Sequence, residues 1–236
     1  MNSFVIRVAG LNVLINTRYN RLSVMCRDYV VDTDDFDISV SVSDADIMHE
    51  RDISEGRFSD EYLESVCMYR NLCVQLPKHG AFLLHASCIE VDGVAYAFSA
   101  PSGTGKSTHT MLWKQLFGDR MRYINGDKPI IRFFDGVPYA CGTPWAGKEG
   151  YQSNCMVPLR AICFIERGAE NKIESIDKEA GKLIMKQIIL PFDTESTICT
   201  LDLVDWLLRS VSSYRMECNI SVEAARIAYE SMSVLN

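Results

Sequence analysis

Cysteine pairs at metal-binding spacing, an excess of positive charge and any long apolar run are all missing from this chain of 236 residues. Its nine cysteines (Cys26, Cys67, Cys73, Cys88, Cys141, Cys155, Cys163, Cys199, Cys218) are odd in number, scattered, and never spaced as Cys-x-x-Cys. Neither a disulfide framework nor a zinc site is read from them, and free thiols in a reducing compartment are the expectation. With 24 Lys and Arg against 31 Asp and Glu, the formal charge of −7 excludes a nucleic-acid backbone as the main partner. No stretch is apolar and long enough to span a bilayer, so no membrane partner is expected. The first residues reach Arg7 and then Gly10 too soon for a signal peptide, and the expected location is cytoplasmic. The length suits either one large domain or a compact pair.

What the chain does have is Ser99-Ala100-Pro101-Ser102-Gly103-Thr104-Gly105-Lys106-Ser107-Thr108, between an apolar run over 94–98 and a helical pattern over 108–117. Glycines let a backbone turn its N–H groups onto phosphate oxygens, and a helix N-terminus behind them adds a favourable dipole. Ser102, Gly103, Thr104, Gly105, Lys106, Ser107 and Thr108 are therefore the candidate cofactor-binding residues, with ATP as the ligand. Lys106 would reach the β- and γ-phosphates, and the Ser107 hydroxyl would coordinate Mg²⁺. Where the common form of such a P-loop begins with glycine, this chain has Ala100.

The first third reads as a separate layer. Period-two alternation predicts strands over 4–8, 11–15 and 36–42, with another over 22–31, forming a small antiparallel sheet. The acidic stretch over 44–60 reads as a solvated loop. A helix capped by Ser59 is predicted to run to Pro77, burying Tyr62, Val66, Tyr69, Cys73 and Leu76 on one face. Beyond Pro158, a buried strand is predicted over 159–166, and helices over 178–190, 201–212 and 222–234. A boundary after residue 78 separates a β-rich segment with its helix (1–78) from a P-loop domain (79–236).

Two predicted strands, 82–91 and 94–99, are separated by Asp92-Gly93, a two-residue hairpin turn. The strand feeding the glycine-rich loop is thus antiparallel to its predecessor, unlike the parallel crossovers of a doubly wound nucleotide-binding sheet. On this feature, with His85, Ser102-Gly103-Thr104-Gly105-Lys106-Ser107 and Tyr123-Ile124-Asn125-Gly126-Asp127, residues 80–166 resemble the HPr kinase/phosphorylase catalytic domain and the related phosphoenolpyruvate carboxykinases. The loop is closer to the carboxykinase form, but the chain is too short for a carboxykinase. Asn125-Gly126-Asp127-Lys128-Pro129 and Gly142-Thr143-Pro144-Trp145-Ala146-Gly147-Lys148-Glu149 look like stand-alone HPr-kinase-like proteins, some of which sit beside genes for modified peptides. The fold implied is α/β, a mixed central sheet with an antiparallel hairpin leading into a P-loop, plus the small N-terminal β-rich layer.

The resemblance implies a phosphotransferase. Asp127, at a strand end beside the loop, is the metal-side carboxylate with Ser107. The family carries two adjacent aspartates where this chain has Gly126-Asp127, so Asp127 serves both metal and proton, or His85 takes the proton or orients the carboxylate. A buried, hydrogen-bonded histidine is the other reading of His85. In the loop over 142–150, Lys148 would face the transferring phosphate or the acceptor, with Trp145 as a stacking wall. Catalytic candidates are thus Asp127, Lys106, His85 and Lys148. The expected reaction moves the γ-phosphoryl group of ATP, with Mg²⁺, to a hydroxyl of a peptide, protein or small molecule. A nucleotide-binding regulatory or scaffold subunit without turnover is the alternative, and the reverse phosphorylase reaction a third. Acceptor identity and the presence of a homo-oligomer stay open.

Overall fold

Alternating apolar residues build the first sheet of the computed structural model, which describes residues 2–234. Strands β1 (Asn2–Val8) and β2 (Leu11–Thr17) pair as an antiparallel hairpin and bury Ile6, Val8, Val13 and Ile15. The strand predicted over 22–31 is absent. Leu22 and Cys26, four residues apart and both buried, sit instead on and just after helix α1 (Asn20–Met25), leaving only β3 (Val30–Val31) on the edge of β1. Strand β4 (Ile38–Ser41) pairs with β2 in parallel, because the chain crosses over through α1, so the sheet is mixed and ordered β3-β1-β2-β4.

Residues 54–59 of the acidic stretch are irregular, but the longer part before them is not a loop. It forms helix α2 (Asp44–Ile53), started by a capping box in which Asp46 N–H donates to Ser43 Oγ at 3.1 Å and Ser43 N–H donates to Asp46 Oδ2 at 2.7 Å. Acid at a helix N-terminus is favourable, which offsets the small apolar face of Ile47 alone. Helix α3 (Asp60–Cys73) follows with Ser59 as its cap, as predicted. It ends at Cys73, short of Pro77; of the predicted face, Tyr69, Cys73 and, just beyond the helix, Leu76 are buried together with Leu63, Cys67, Met68 and Leu72, while Val66 is half-buried and Tyr62 is exposed and stacks on Phe58.

The predicted strand over 82–91 breaks at Leu84, His85 and Ala86 into β5 (Ala81–Leu83) and β6 (Ser87–Val91). The Asp92-Gly93 turn then leads into β7 (Val94–Ser99), antiparallel to β6 as predicted, with positive φ at both turn residues. Helix α4 (Lys106–Phe117) and strands β8 (Met121–Asn125), β9 (Ile130–Phe134), β10 (Val137–Cys141) and β11 (Met156–Arg167) follow. Strand order is β5-β9-β10-β11-β7-β6-β8. Strand β11 is antiparallel to β10 but parallel to β7, so this sheet too is mixed.

Four elements differ from the later predictions. Strands β12 (Lys172–Ser175) and β13 (Ser212–Cys218) extend the sheet, β13 running parallel to β11. The helix predicted over 178–190 is only α5 (Ala180–Met185), because residue 188 turns back to bridge Leu84. Helix α6 (Thr194–Ser210) starts earlier than predicted, where Asp193 accepts from Ser196 N–H. Helix α7 is Val222–Met232. The chain is a mixed α/β protein with two mixed sheets, and among the described residues no helix is long and apolar enough to cross a membrane.

Trp145 corrects one expectation outright. It is 6% exposed, packs beside Tyr69 and donates its indole N–H to Ser65 O at 2.9 Å, so it belongs to the core shared with α3 and not to a stacking wall.

His109, one turn into α4, is packed among Phe98 and Trp113 and accepts the Trp113 indole N–H on Nε2 at 3.0 Å. Nε2 must then be unprotonated, and burial pulls the imidazole down from 6.5 to about 4. Between those values the unfolded chain binds the extra proton, so stability falls as pH drops through that window. Urea titrations of wild type and His109→Asn at pH 7 and pH 4.5 are expected to show about 2 kcal/mol more acid loss in the wild type. Equal losses would mean that His109 is protonated inside the fold.

Candidate functional site

The glycine-rich loop leaves the C-terminal end of β7 and enters α4. Gly103 and Gly105 have φ of 77° and 129°, and a Cβ on either would meet nothing within 4 Å, so conformation and not space selects glycine there. Thr104 N–H donates to Pro101 O at 3.2 Å and His109 N–H to Gly105 O at 2.9 Å, closing the loop and the first helical turn. Ser102 and Gly103 are exposed; Thr104, Gly105, Ser107 and Thr108 are half-buried at the helix start.

Lys106 is 9% exposed, folded back so that Nζ donates to Ala100 O at 3.0 Å and lies 3.3 Å from His85 Nε2. Burial lowers its pKa, and the charge of Asp127 opposes that shift. The ammonium touches only a carbonyl and an imidazole directly, with the Asp127 charge acting on it from beyond the histidine, and a polyphosphate would add a counter-charge in direct contact.

His85 is where it is because β5 and β6 do not join. Leu84 N–H donates to Pro129 O and Ala86 N–H to Asp127 O, both at 3.1 Å, while His85 N–H turns the other way to Gln187 O at 2.8 Å. The ring then spans the gap, with Nε2 3.1 Å from Asp127 Oδ1 and Nδ1 3.0 Å from Gln187 Oε1. Nε2 therefore sits between the Lys106 ammonium and the Asp127 carboxylate, while Nδ1 faces the Gln187 side-chain amide.

Asp127 is aimed by a turn. Asn125, fully buried, accepts Asp127 N–H at 2.8 Å and Lys128 N–H at 2.6 Å on Oδ1, and donates to Thr143 O and Oγ1, each at 3.0 Å. Burial pushes the Asp127 carboxyl up, but hydrogen bonds from His85 and Lys128, with their charges, outweigh it and hold the group far below the usual carboxylate range. Lys128 pairs with Asp127 and lies over the Tyr69 ring at 5.5 Å, so it is a partner of the site.

Lys106, His85 and Asp127, distant in sequence, are thus in one constellation. Lys148 is not in contact with it: its side chain is exposed, on a loop whose backbone nonetheless abuts Asp127, since a Cβ on Gly147 would lie 3.0 Å from Asp127 Cβ. Gln187 and Arg167 carry no signal in the sequence reading, yet both line an open cavity of about 660 Å³ bounded by residues 99–104, the end of β11, Leu183 and Lys186. The cavity sits at the C-terminal ends of the parallel strands β7 and β11, where ligands bind in open α/β sheets. Among the described residues, no cluster of three or more His, Cys, Asp or Glu side chains forms a ready-made metal site.

No family model and no curated protein matches the chain. Among solved structures, the HPr(Ser) kinase/phosphatase from Coxiella burnetii is similar at 10% identity, over 52% of this chain and 93% of that chain, with a TM-score of 0.32. At that score the likeness carries no weight for the chemistry, and the fold class rests on the strands and helices described above.

Proposed function

We propose that the chain is a phosphotransferase that uses ATP and Mg²⁺ to phosphorylate a hydroxyl of a peptide, a protein or a small metabolite. The observation that carries this reading is the buried Lys106 ammonium, held 3.3 Å from a histidine that is itself 3.1 Å from Asp127, at the start of a glycine-rich loop and helix. The loop amides, the helix N-terminus and Lys106 would hold the polyphosphate. Ser107 and Asp127 offer the hard oxygen donors that Mg²⁺ prefers, and phosphate oxygens would complete its shell. When bound, the ion would neutralise charge on the departing β-phosphate oxygen. As the acceptor oxygen bonds to the γ-phosphorus and the bridge to the β-phosphate breaks, the hydroxyl proton must leave. A carboxylate held as low as Asp127 keeps a proton poorly, which suits the metal side and leaves proton transfer to His85.

One feature favours a second reading, a nucleotide-binding regulatory subunit without turnover. Both Asp127 oxygens already carry a partner, one His85 and the other Lys128, so a metal would have to share them or displace one. Lys148 separates the two readings. If the exposed loop closes on substrate, Lys148→Ala is expected to cut turnover on a proven acceptor by about tenfold or more while ATP affinity stays within about threefold. The assay offers ATP, Mg²⁺ and a panel of serine peptides and hydroxylated metabolites, with ADP release and acceptor mass as readouts. Tight ATP binding, no product across the panel and no effect of Lys148→Ala would favour the regulatory subunit.

A further inference from the structure

Arg167 stands at the end of β11, where that strand outruns its neighbour. Phe164 pairs with Ser99, the last residue of β7, so β11 continues three residues beyond the point where β7 gives way to the glycine-rich loop. The overhang is fixed from its other edge, where Arg167 is in register with Cys218 of β13 and Gly168 N–H donates to Cys218 O at 3.0 Å. From this pinned backbone the Arg167 guanidinium reaches sideways to the loop. Its Nε donates to Thr104 O at 3.0 Å and its Nη2 donates to Gly103 O.

Two consecutive carbonyls are therefore held by one planar fork. In a planar trans peptide the C=O of one residue and the N–H of the next point in opposite directions. With the Gly103 and Thr104 carbonyls turned toward Arg167, the Thr104 and Gly105 N–H groups are turned away from it; Thr104 N–H finds Pro101 O at 3.2 Å, and Gly105 N–H is left for a ligand. The need for such a clamp lies in the sequence Gly103-Thr104-Gly105. A glycine on either side of Thr104 lets these peptide planes rotate at little cost, and a rotated plane would present a carbonyl, not an N–H, to a polyphosphate.

We propose that Arg167 is a positioning residue that sets the amide direction of the glycine-rich loop for a polyphosphate anion, acting through Gly103 and Thr104 without touching the anion itself. This rests on the nucleotide reading above. It differs from a general role of positive charge, because a lysine keeps the charge but cannot span two carbonyls.

The test is calorimetric titration of the full chain with ATP and, separately, with inorganic tripolyphosphate, for wild type, R167A and R167K, with thermal melting as the fold control. Loss of both ligands by about ten- to a hundredfold in R167A, with R167K clearly weaker than wild type, is the expected result. R167K keeps the test open should R167A fail to fold. Wild-type affinity for tripolyphosphate in R167A overturns the proposal, and so does a loss confined to ATP, which would place Arg167 on the nucleoside. An R167K variant as tight as wild type also overturns it, leaving only charge. If the wild-type chain binds neither ligand, the nucleotide reading itself falls, and this inference with it.

Discussion

Lys106→Met is expected to lower phosphoryl transfer by about a hundred- to a thousandfold, the scale of losing one preorganised charge donor to a transition state. ATP binding should fall much less, because the loop amides and the helix N-terminus remain. The fold should persist. Lys106 is nearly buried, and burial disfavours its charged form, so an unbranched apolar side chain of similar length removes a desolvation cost at the same time as it removes a hydrogen bond to Ala100 O. Two groups lose a partner, Ala100 O and the face of His85 Nε2, both beside the half-buried site. A melting temperature within a few degrees of wild type, with single-turnover transfer nearly abolished on any proven acceptor, is the pattern to look for. Unchanged transfer would remove the glycine-rich loop from the chemistry.

The parts of this site that depend on local sequence were legible in it. Gly103 and Gly105 sit at positive φ, Lys106 opens α4, and Asp127 follows the end of β8, all from signals confined to a few residues. What could not be read depends on strands meeting at a distance. His85 lies in a run with every mark of a single strand, and the break that exposes it exists because its flanking amides are taken by Asp127 and Pro129 while its own is taken by Gln187. Gln187 in turn sits in a stretch of helix-like composition that ends at Met185 because residue 188 bridges Leu84. Arg167 reaches the loop only through the register of β11 on β7. Trp145 failed in the opposite sense: its loop carries the glycines and proline of a binding loop, yet the indole is drawn inward by the apolar face of α3 and the Ser65 carbonyl. The helix α2 did leave a local mark, the Ser43 and Asp46 spacing of a capping box, which the density of acidic charge obscured.

Asp127→Asn is the second substitution with a large expected effect. It preserves shape and removes the one carboxylate that His85 and Lys128 share, with Lys106 close by, so three basic side chains lose their common counter-charge. Transfer should fall by about a hundredfold, the worth of a charge-assisted contact at a reacting group. The more telling measurement is ATP affinity with and without Mg²⁺. If Asp127 helps hold the ion, the metal-dependent part of binding should nearly vanish in the variant while metal-free binding stays level or rises, since a negative charge near the polyphosphate has gone. Stability supplies an independent check in the absence of nucleotide. The folded carboxyl lies below its ordinary value of 3.8, so its contribution is present above that pH and is lost as pH falls beneath it. Wild type should therefore be the more stable of the two at neutral pH, and the gap should close in acid. Equal losses of ATP affinity with and without Mg²⁺, together with a gap that does close, would make Asp127 a structural anchor for His85 and Lys128 and would move metal binding away from this residue.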